Sequence, residues 1–186
     1  NLLETLKWEG RIYDEKAELF DEKAAGESSV VVISPGFQRS HPWIELAFAS
    51  HNIVLNELDF ASCFVSSPIV SITGTNGKTT VTWMLESIIA HAGGTCGVIG
   101  TTGHRIGGES IPATHTTPEA PVLQELLQRM HREGCTAGLM EVSSIGIAMH
   151  RADAIPFRVA VFTSFSRDHL DYHESMQAYF EAKMRL

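Results

Sequence analysis

The 186-residue sequence has few cysteines, no long apolar run and fewer basic than acidic residues. Its three cysteines are isolated and odd in number, which predicts neither a disulfide framework nor a zinc knuckle. No segment is apolar enough to predict a membrane span, and the first residues lack the basic start and apolar core of a secretory signal. The 14 basic and 22 acidic residues give a formal charge of −8, which argues against a nucleic-acid partner. We therefore expect a cytoplasmic globular protein and a monomer.

Apolar runs of strand length alternate with helical stretches along the chain. The predicted strands are SVVVISPG, NIVLN, SSPIVSIT, TCGVIG, TAGLMEV and RVAVFTS. Helices are predicted at PWIELAFAS, from about Lys78 to His91, from about Glu119 to Glu133 and from near Ser175, with a polar segment from Gly103 to Pro118. The spacing in the third of these helices predicts one apolar face of Val122, Leu123, Leu126, Leu127 and Met130. This alternation predicts an α/β fold with a parallel, doubly wound sheet and a domain boundary near Pro68. Because the chain starts without methionine and stops within a helical pattern, we expect it to be part of a longer protein.

One glycine-rich stretch, GTNGKTT, lies between a predicted strand and a predicted helix. The general nucleotide-binding loop separates its two glycines by five positions, whereas Gly74 and Gly77 are three positions apart. Glycines allow backbone N–H groups to converge on phosphate oxygens, and the following helix adds its positive end. Lys78 can then reach the β and γ phosphates, while the Thr79 hydroxyl binds magnesium. The stretch predicts an ATP and Mg2+ site formed by Gly74, Thr75, Asn76, Gly77, Lys78, Thr79 and Thr80.

Polar residues follow two other predicted strands. Glu141 and Ser143 come at the end of TAGLMEV, and His169 lies in the segment after RVAVFTS. Since ligands gather at the carboxyl ends of parallel strands, Glu141 and His169 are candidates to hold a second metal ion for phosphoryl transfer. Taken alone, Glu141 is better explained as a cap of the next helix or as a partner of Arg151. A hydrolase pair of Ser143 and His169 lacks the Gly-x-Ser-x-Gly turn that would support it.

Five motifs in order, GTNGKTT, HTTPEA, MEVSS, FTSFSRDHLDYH and YFEAK, resemble those of the Mur ligases over Pro68–Leu186. The nearest likeness is to the ligases that add the third residue, diaminopimelate or lysine, to UDP-N-acetylmuramoyl-L-alanyl-D-glutamate. The resemblance implies that 68–186 is part of a parallel-sheet P-loop ATPase-type central domain. It also implies an ATP-dependent amide ligase of peptidoglycan synthesis. In such an enzyme the substrate carboxylate takes the γ-phosphate, and the amine of an amino acid then displaces phosphate from the acyl phosphate.

The same resemblance implies roles for individual residues. Lys78 and Thr79 would serve ATP and its magnesium, and Glu141 and His169 the catalytic metal sites. Lys183 would be carbamylated and so become a further metal ligand, although the sequence alone predicts an exposed lysine at a frayed helix end, unmodified in this chain. The residues implied to contact the UDP-muramoyl peptide are Thr116, Thr117, Ser143 and Arg151.

Two features separate this chain from the third-residue ligases. Ile145 stands where those ligases usually have histidine, and Met149 where they often have glutamine, so hydrogen-bonding groups are removed from the substrate segment. Residues 1–67 resemble instead the C-terminal part of the Rossmann-like, UDP-binding domain of the D-glutamate-adding Mur ligase, whose Ser-Pro-Gly turn is here Ser34, Pro35 and Gly36. The alternatives are therefore a D-glutamate-adding ligase, a folylpolyglutamate synthase-like ligase and a noncatalytic ATP-binding fragment. HTTPEA and SRDHLDYH favour the Mur ligases over the folylpolyglutamate synthases.

Overall fold

The computed structural model describes residues 9–16, 18–34, 37–38, 40–56, 60 and 67–186. The chain divides into two compact units, Asn1–Glu57 and Leu58–Leu186. Most of the residues between 57 and 66 lie outside the described ranges. The predicted domain limits, 1–67 and 68–186, therefore stay a prediction.

The described residues of the first unit contain a short parallel sheet and two helices. Its elements are α1 (Glu22–Glu27), β1 (Val30–Ile33), α2 (Pro42–Ala49) and β2 (Ile53–Asn56). Strands β1 and β2 pair in parallel, which requires the crossover that α2 supplies. Phe20, Ala24, Ala25 and Ala47 form its buried core. Of the predicted UDP-binding turn, Ser34 is exposed at the end of β1, while Pro35 and Gly36 lie outside the described residues.

The second unit is built around a six-stranded sheet in the order β6-β5-β4-β7-β3-β8. Its strands are β3 (Ile69–Thr73), β4 (Cys96–Ile99), β5 (His104–Ile106), β6 (Glu109–Ile111), β7 (Ala137–Glu141) and β8 (Phe157–Phe162). Over residues 67–186 its helices are α3 (Lys78–His91), α4 (Ala120–Arg132), α5 (Ser144–Ala148), α6 (Leu170–His173) and α7 (Met176–Met184). Strands β4, β7, β3 and β8 are parallel, so the predicted parallel α/β sheet is confirmed.

The segment from Gly103 to Pro118 contains a β-hairpin that the sequence did not predict. Strands β5 and β6 are three residues each and pair antiparallel at one side of the sheet. The turn between them places Gly107 and Gly108 at φ of 60° and 80°, a conformation that glycine adopts without strain. Strands this short carry too few residues for an apolar alternation to be recognised.

Helix α4 matches the helix that the leucine spacing predicted. Its buried residues are Leu123, Leu126, Leu127 and Met130. Val122 was expected on the same face, but its side chain is 47% exposed. At about 100° per residue, the four buried side chains centre on one direction, and Val122 projects about 90° from it, at the edge of the buried face. No helix within the described ranges is long and apolar enough to cross a lipid bilayer.

The parallel strands bring four chain segments to one edge of the sheet. The loop after β3 begins at Gly74, the turn after β4 at Gly100, the segment after β7 at Val142 and the segment after β8 at Thr163. Because β4, β7, β3 and β8 are neighbours in that order, these segments are adjacent in space although they are distant in sequence. The candidate site lies at this edge, where ligands bind in open α/β sheets.

Candidate nucleotide and substrate site

The loop between β3 and α3 depends on two glycines with positive φ. Gly74 has a φ of +140°, and a Cβ atom there would lie 2.1 Å from Thr163 Oγ1. Gly77 has a φ of +88° and is the N-cap of α3, where it has no side chain to bond the first helical N–H groups. Those N–H groups and the positive end of a 14-residue helix favour an anion at this point. The geometry suits a phosphate group.

The segment that follows β8 holds this loop in place. Thr75 N donates to Ser164 O at 2.8 Å, and Asn76 N donates to Ser164 Oγ at 3.0 Å. Thr163 Oγ1 lies 2.6 Å from Asn76 O. Sequence reasoning missed both Thr163 and Ser164, although they stand in the motif FTSFSRDHLDYH that carried part of the family resemblance.

Two lysine ammonium groups meet at one backbone carbonyl of the loop. Lys78 Nζ donates to Gly74 O at 2.9 Å, and Lys183 Nζ donates to the same oxygen at 3.0 Å. Lys78 Nζ also donates to Thr75 O at 3.1 Å. Burial lowers the pKa of Lys78. Burial and, after it, the charge of Lys78 lower the pKa of Lys183 to about 8.

The expectation of an exposed Lys183 at a frayed helix end is wrong. The Lys183 side chain is only 2% exposed, and Ser175 caps the N-terminus of the helix that carries it through a bond from Ala178 N. Helix α7 lies against the phosphate-binding loop, so its inward face is interior rather than solvated. The hydrogen bond from Lys183 to Gly74 spans 109 residues of sequence, a separation that no local pattern reveals.

Glu141 is a buried carboxylate surrounded by hydroxyl groups. It ends β7 and is 1% exposed. Its Oε2 atom accepts hydrogen bonds from Thr79 Oγ1 at 3.1 Å and from Thr101 Oγ1 at 2.7 Å. The absence of a side chain at Gly100 leaves room for the carboxylate, because a Cβ there would lie 2.5 Å from Glu141 Oε1. Carboxylate and hydroxyl oxygens are hard ligands of the kind that magnesium prefers. Thr79 and Glu141 therefore fit one Mg2+ ion.

The two structural explanations of Glu141 that the sequence left open are wrong. Helix α5 is capped by Ser143, whose Oγ accepts from Gly146 N at 3.0 Å. Arg151 forms its ion pair with Glu119 at 2.5 Å. Among the described residues, neither Ser143 nor Arg151 bonds the Glu141 carboxylate, which bonds Thr79 and Thr101 instead.

The four residues implied to contact a muramoyl peptide form one neighbourhood. Thr117 Oγ1 accepts from Ser143 N at 2.9 Å, and Arg151 Nη1 donates to Thr117 O at 3.0 Å. Thr116 Oγ1 lies 3.0 Å from Thr101 Oγ1, which in turn contacts Glu141. A hydrogen-bonded chain therefore runs from the phosphate-binding loop to these residues. Thr101 is a linking residue that sequence reasoning missed, and its only signal was its position after a predicted strand.

The two departures from the third-residue ligases lie beside this neighbourhood. Met149 is half exposed, and its Sδ atom accepts a hydrogen bond from Arg151 Nη2 at 3.4 Å. Position 149 thus still contacts the arginine, although through a weak sulfur acceptor. Ile145 is partly buried within α5. The expectation that both replacements remove hydrogen-bonding groups stays a prediction, and Met149 keeps a weak acceptor beside Arg151.

His169 forms no hydrogen bond or ion pair with Glu141, Lys78 or Lys183 among the described residues. It precedes α6 with a φ of 51°, and its Nε2 atom lies 3.6 Å from Asp168 Oδ2. Its ring centroid is 6.0 Å from that of Tyr179. Across the described parts of the chain, no three His, Cys, Asp or Glu side chains cluster in a way that could hold a metal ion. A second metal site at Glu141, His169 and Lys183 stays a prediction.

A glycine loop between a parallel strand and a helix, beside a buried carboxylate and a lysine, defines the class of P-loop nucleotide-binding α/β domains. The profile of the Mur ligase middle domain matches residues 72–186. The chain belongs to the Mur ligase family, as the five sequence motifs indicated.

Relatives with known names agree with this assignment. The chain is 50% identical over 119 residues to the UDP-N-acetylmuramoyl-L-alanyl-D-glutamate--2,6-diaminopimelate ligase of Geobacter sulfurreducens, covering 64% of this chain and 23% of that protein. It is 48% identical over 131 residues to the ligase of the same name from Caldanaerobacter subterraneus, covering 68% and 27%. A solved structure of a ligase with this name superposes with a TM-score of 0.59 at 29% identity, over 84% of this chain and 37% of that one. The chain thus spans about a quarter of the length of the curated relatives it matches.

Proposed function

We propose that the full-length protein is an ATP-dependent amide ligase of peptidoglycan precursor synthesis in the cytoplasm. It would add a third amino acid, diaminopimelate or lysine, to UDP-N-acetylmuramoyl-L-alanyl-D-glutamate through an acyl phosphate. The observation that carries the proposal is the hydrogen-bonded chain from Thr79 through Glu141 and Thr101 to Thr116. This chain joins the phosphate-binding loop to the residues implied to hold the muramoyl peptide. The names of the relatives that are about 50% identical favour diaminopimelate.

The residues of the loop supply binding and charge. The N–H groups at the N-terminus of α3 would hold the phosphates of ATP, because Thr75 N and Asn76 N already donate to Ser164. Lys78 would exchange its bonds to Gly74 O and Thr75 O for the γ-phosphate, a motion of one side chain. Thr79 and Glu141 would hold magnesium, which when bound offsets the negative charge of the phosphate oxygens.

The neighbouring residues would orient the acceptor. Arg151 is held by Thr117 O and Glu119, so its guanidinium has a defined direction before substrate arrives. A fixed cation of this kind suits a substrate that carries phosphate and carboxylate groups. The bound carboxylate would then attack the γ-phosphorus, the bond to the bridging oxygen would break and ADP would leave. The amine of the amino acid would then displace phosphate from the resulting acyl phosphate.

Lys183 would carry a carbamate in the active enzyme. Carbon dioxide adds only to a neutral amine, and a pKa of about 8 leaves part of the Lys183 amine neutral near neutral pH. The product is an anionic oxygen ligand in place of a cation. Protein equilibrated with 13C-bicarbonate should show a carbamate carbon resonance that is absent from Lys183→Met. In the full-length enzyme Lys183→Ala should lower turnover sharply, and near-normal turnover together with an unchanged spectrum would contradict the role.

Phosphate release from ATP by the full-length protein tests the function. Each reaction would contain an amino acid and either UDP-N-acetylmuramoyl-L-alanine or its L-alanyl-D-glutamate form. We expect release with the dipeptide form and diaminopimelate or lysine, and strong loss of nucleotide affinity in Lys78→Ala. Release with the shorter acceptor and D-glutamate would support the D-glutamate-adding ligase, which the resemblance of residues 1–67 favours. ATP binding without release under any combination would support a noncatalytic role.

A further inference from the structure

Tyr179 is a fully buried tyrosine on α7 that the proposed chemistry does not use. Its side chain is 0% exposed. Phe165 stacks on its ring with centroids 5.2 Å apart, and Lys183 Nζ lies 4.6 Å from the ring centroid on the same helix. Phenylalanine would satisfy this packing equally well. The phenolic oxygen therefore needs its own explanation, because a buried hydroxyl without a partner is destabilising.

The partner of the Tyr179 hydroxyl is Thr75 in the phosphate-binding loop, at 3.0 Å. Thr75 Oγ1 also accepts from Ser166 N at 3.0 Å and lies 3.2 Å from Ser166 O. The threonine hydroxyl has one proton, which goes to Ser166 O because a carbonyl cannot donate. Tyr179 is therefore the donor to Thr75 Oγ1. Burial raises the pKa of the Tyr179 phenol, which keeps this proton in place at physiological pH.

Helix α7 contacts two consecutive residues of the loop through two side chains on one face. Tyr179 and Lys183 are four residues apart, so they project from the same side of the helix. Tyr179 bonds the Thr75 side chain, and Lys183 bonds the Gly74 carbonyl. Lys78, the other cation at that carbonyl, must leave it to reach a phosphate. The bond from Tyr179 does not depend on that exchange.

We propose that Tyr179 is a positioning residue for the phosphate-binding loop, acting through the Thr75 hydroxyl. Its bond ties α7 to the loop between Gly74 and Gly77, where Thr75 N and Asn76 N donate to Ser164, and so fixes the backbone that leads into the N-terminus of α3. The consequence for nucleotide affinity rests on the proposed function of the loop, whereas the consequence for loop order does not.

Hydrogen exchange of the full-length protein without nucleotide tests the order of the loop. Tyr179→Phe keeps the ring and removes only the hydroxyl, and Tyr172→Phe makes the same change at a side chain that is 44% exposed. We expect amides from Thr75 to Gly77 to exchange about threefold to tenfold faster in Tyr179→Phe, the range that one neutral hydrogen bond is worth. Tyr172→Phe should match the wild type. Equal loop exchange in Tyr179→Phe and the wild type would overturn the proposal, even if the melting temperature falls.

A double-variant cycle on ATP affinity tests the route through Thr75. Tyr179→Phe and Thr75→Val should each weaken ATP binding. Because both remove the same bond, the affinity of the double variant for ATP should not fall below that of the single variant with the lower affinity. Thr75→Ser keeps the hydroxyl and should bind ATP with the affinity of the wild type. Additive losses would show that the two hydroxyls act independently and would overturn the proposal. A wild-type protein that binds no ATP would refute the proposed function instead, while the exchange measurement still decides whether Tyr179 orders the loop.

Discussion

Replacing Gly74 by alanine adds one methyl group, and it should destabilise the nucleotide site more than a methyl group added at any other position of the loop. The new Cβ would lie 2.1 Å from Thr163 Oγ1 and 2.9 Å from Ser164 N, so the loop or the segment after β8 must move. The φ of +140° adds backbone strain that only glycine avoids. Strain of about 1–3 kcal/mol and overpacking of about 1–3 kcal/mol give an expected cost of about 4 kcal/mol.

Gly77→Ala is the matched control, since it adds the same methyl group to the same loop. The φ of Gly77 is +88°, but the nearest atom to its Cβ would be 3.6 Å away, an ordinary contact. Its expected cost is the left-handed strain alone, about 1–2 kcal/mol. Thr163→Ala removes the atom at 2.1 Å and should partly relieve Gly74→Ala. Relief should be incomplete, because the two contacts with the Ser164 backbone remain.

Native-state hydrogen exchange of the full-length protein measures these costs where they arise. The free energy of opening of β3, read from its slowest amides, should fall in the order wild type, Gly77→Ala, Gly74→Ala. The gap between the two variants should be about 2–3 kcal/mol, the difference between the two expected costs, most of it from the contacts with Thr163 and Ser164. If Gly77→Ala costs as much as Gly74→Ala, or if Thr163→Ala gives no relief, the packing argument fails.

Two further substitutions test the charged groups of the site. Glu141→Gln keeps the shape of the side chain but not its charge, so the affinity for ATP with magnesium should fall about tenfold to hundredfold while magnesium-free affinity changes little. The exposed Glu109→Gln serves as its control, and equal magnesium dependence in the two variants would contradict the metal role. Lys183 releases its proton at about pH 8 in the folded protein but near 10.5 when unfolded. The wild type should therefore gain about 1 kcal/mol of stability from about pH 7 to about pH 9 in CO2-free buffer. Lys183→Met should lack this gain. If the free energy of unfolding depends on pH in the same way in Lys183→Met and in the wild type, the assigned burial of Lys183 is refuted.

The family and the nucleotide loop could be read from the sequence because their signals are contiguous. Strand, glycine loop and helix follow one another in a single stretch, and α3 occupies Lys78–His91 as its apolar pattern predicted. The parallel sheet followed from the alternation of strands and helices. The hairpin after Gly103 and the exposed Val122 were missed, because short strands and the limits of a helix face depend on neighbours that a local pattern does not contain.

The contacts that make the site were decided by the tertiary structure. Glu141 meets Thr79 and Thr101 because β7 lies between β4 and β3 in the sheet, and that order of strands is not written in any one segment. Lys183 reads as a solvated lysine until α7 is placed against the loop. By itself the sequence determined which residue types are available and where each strand ends. Only the fold decided which strand ends meet, because burial and hydrogen bonding between residues 40 to 109 positions apart depend on how the strands are ordered and how the helices cover them.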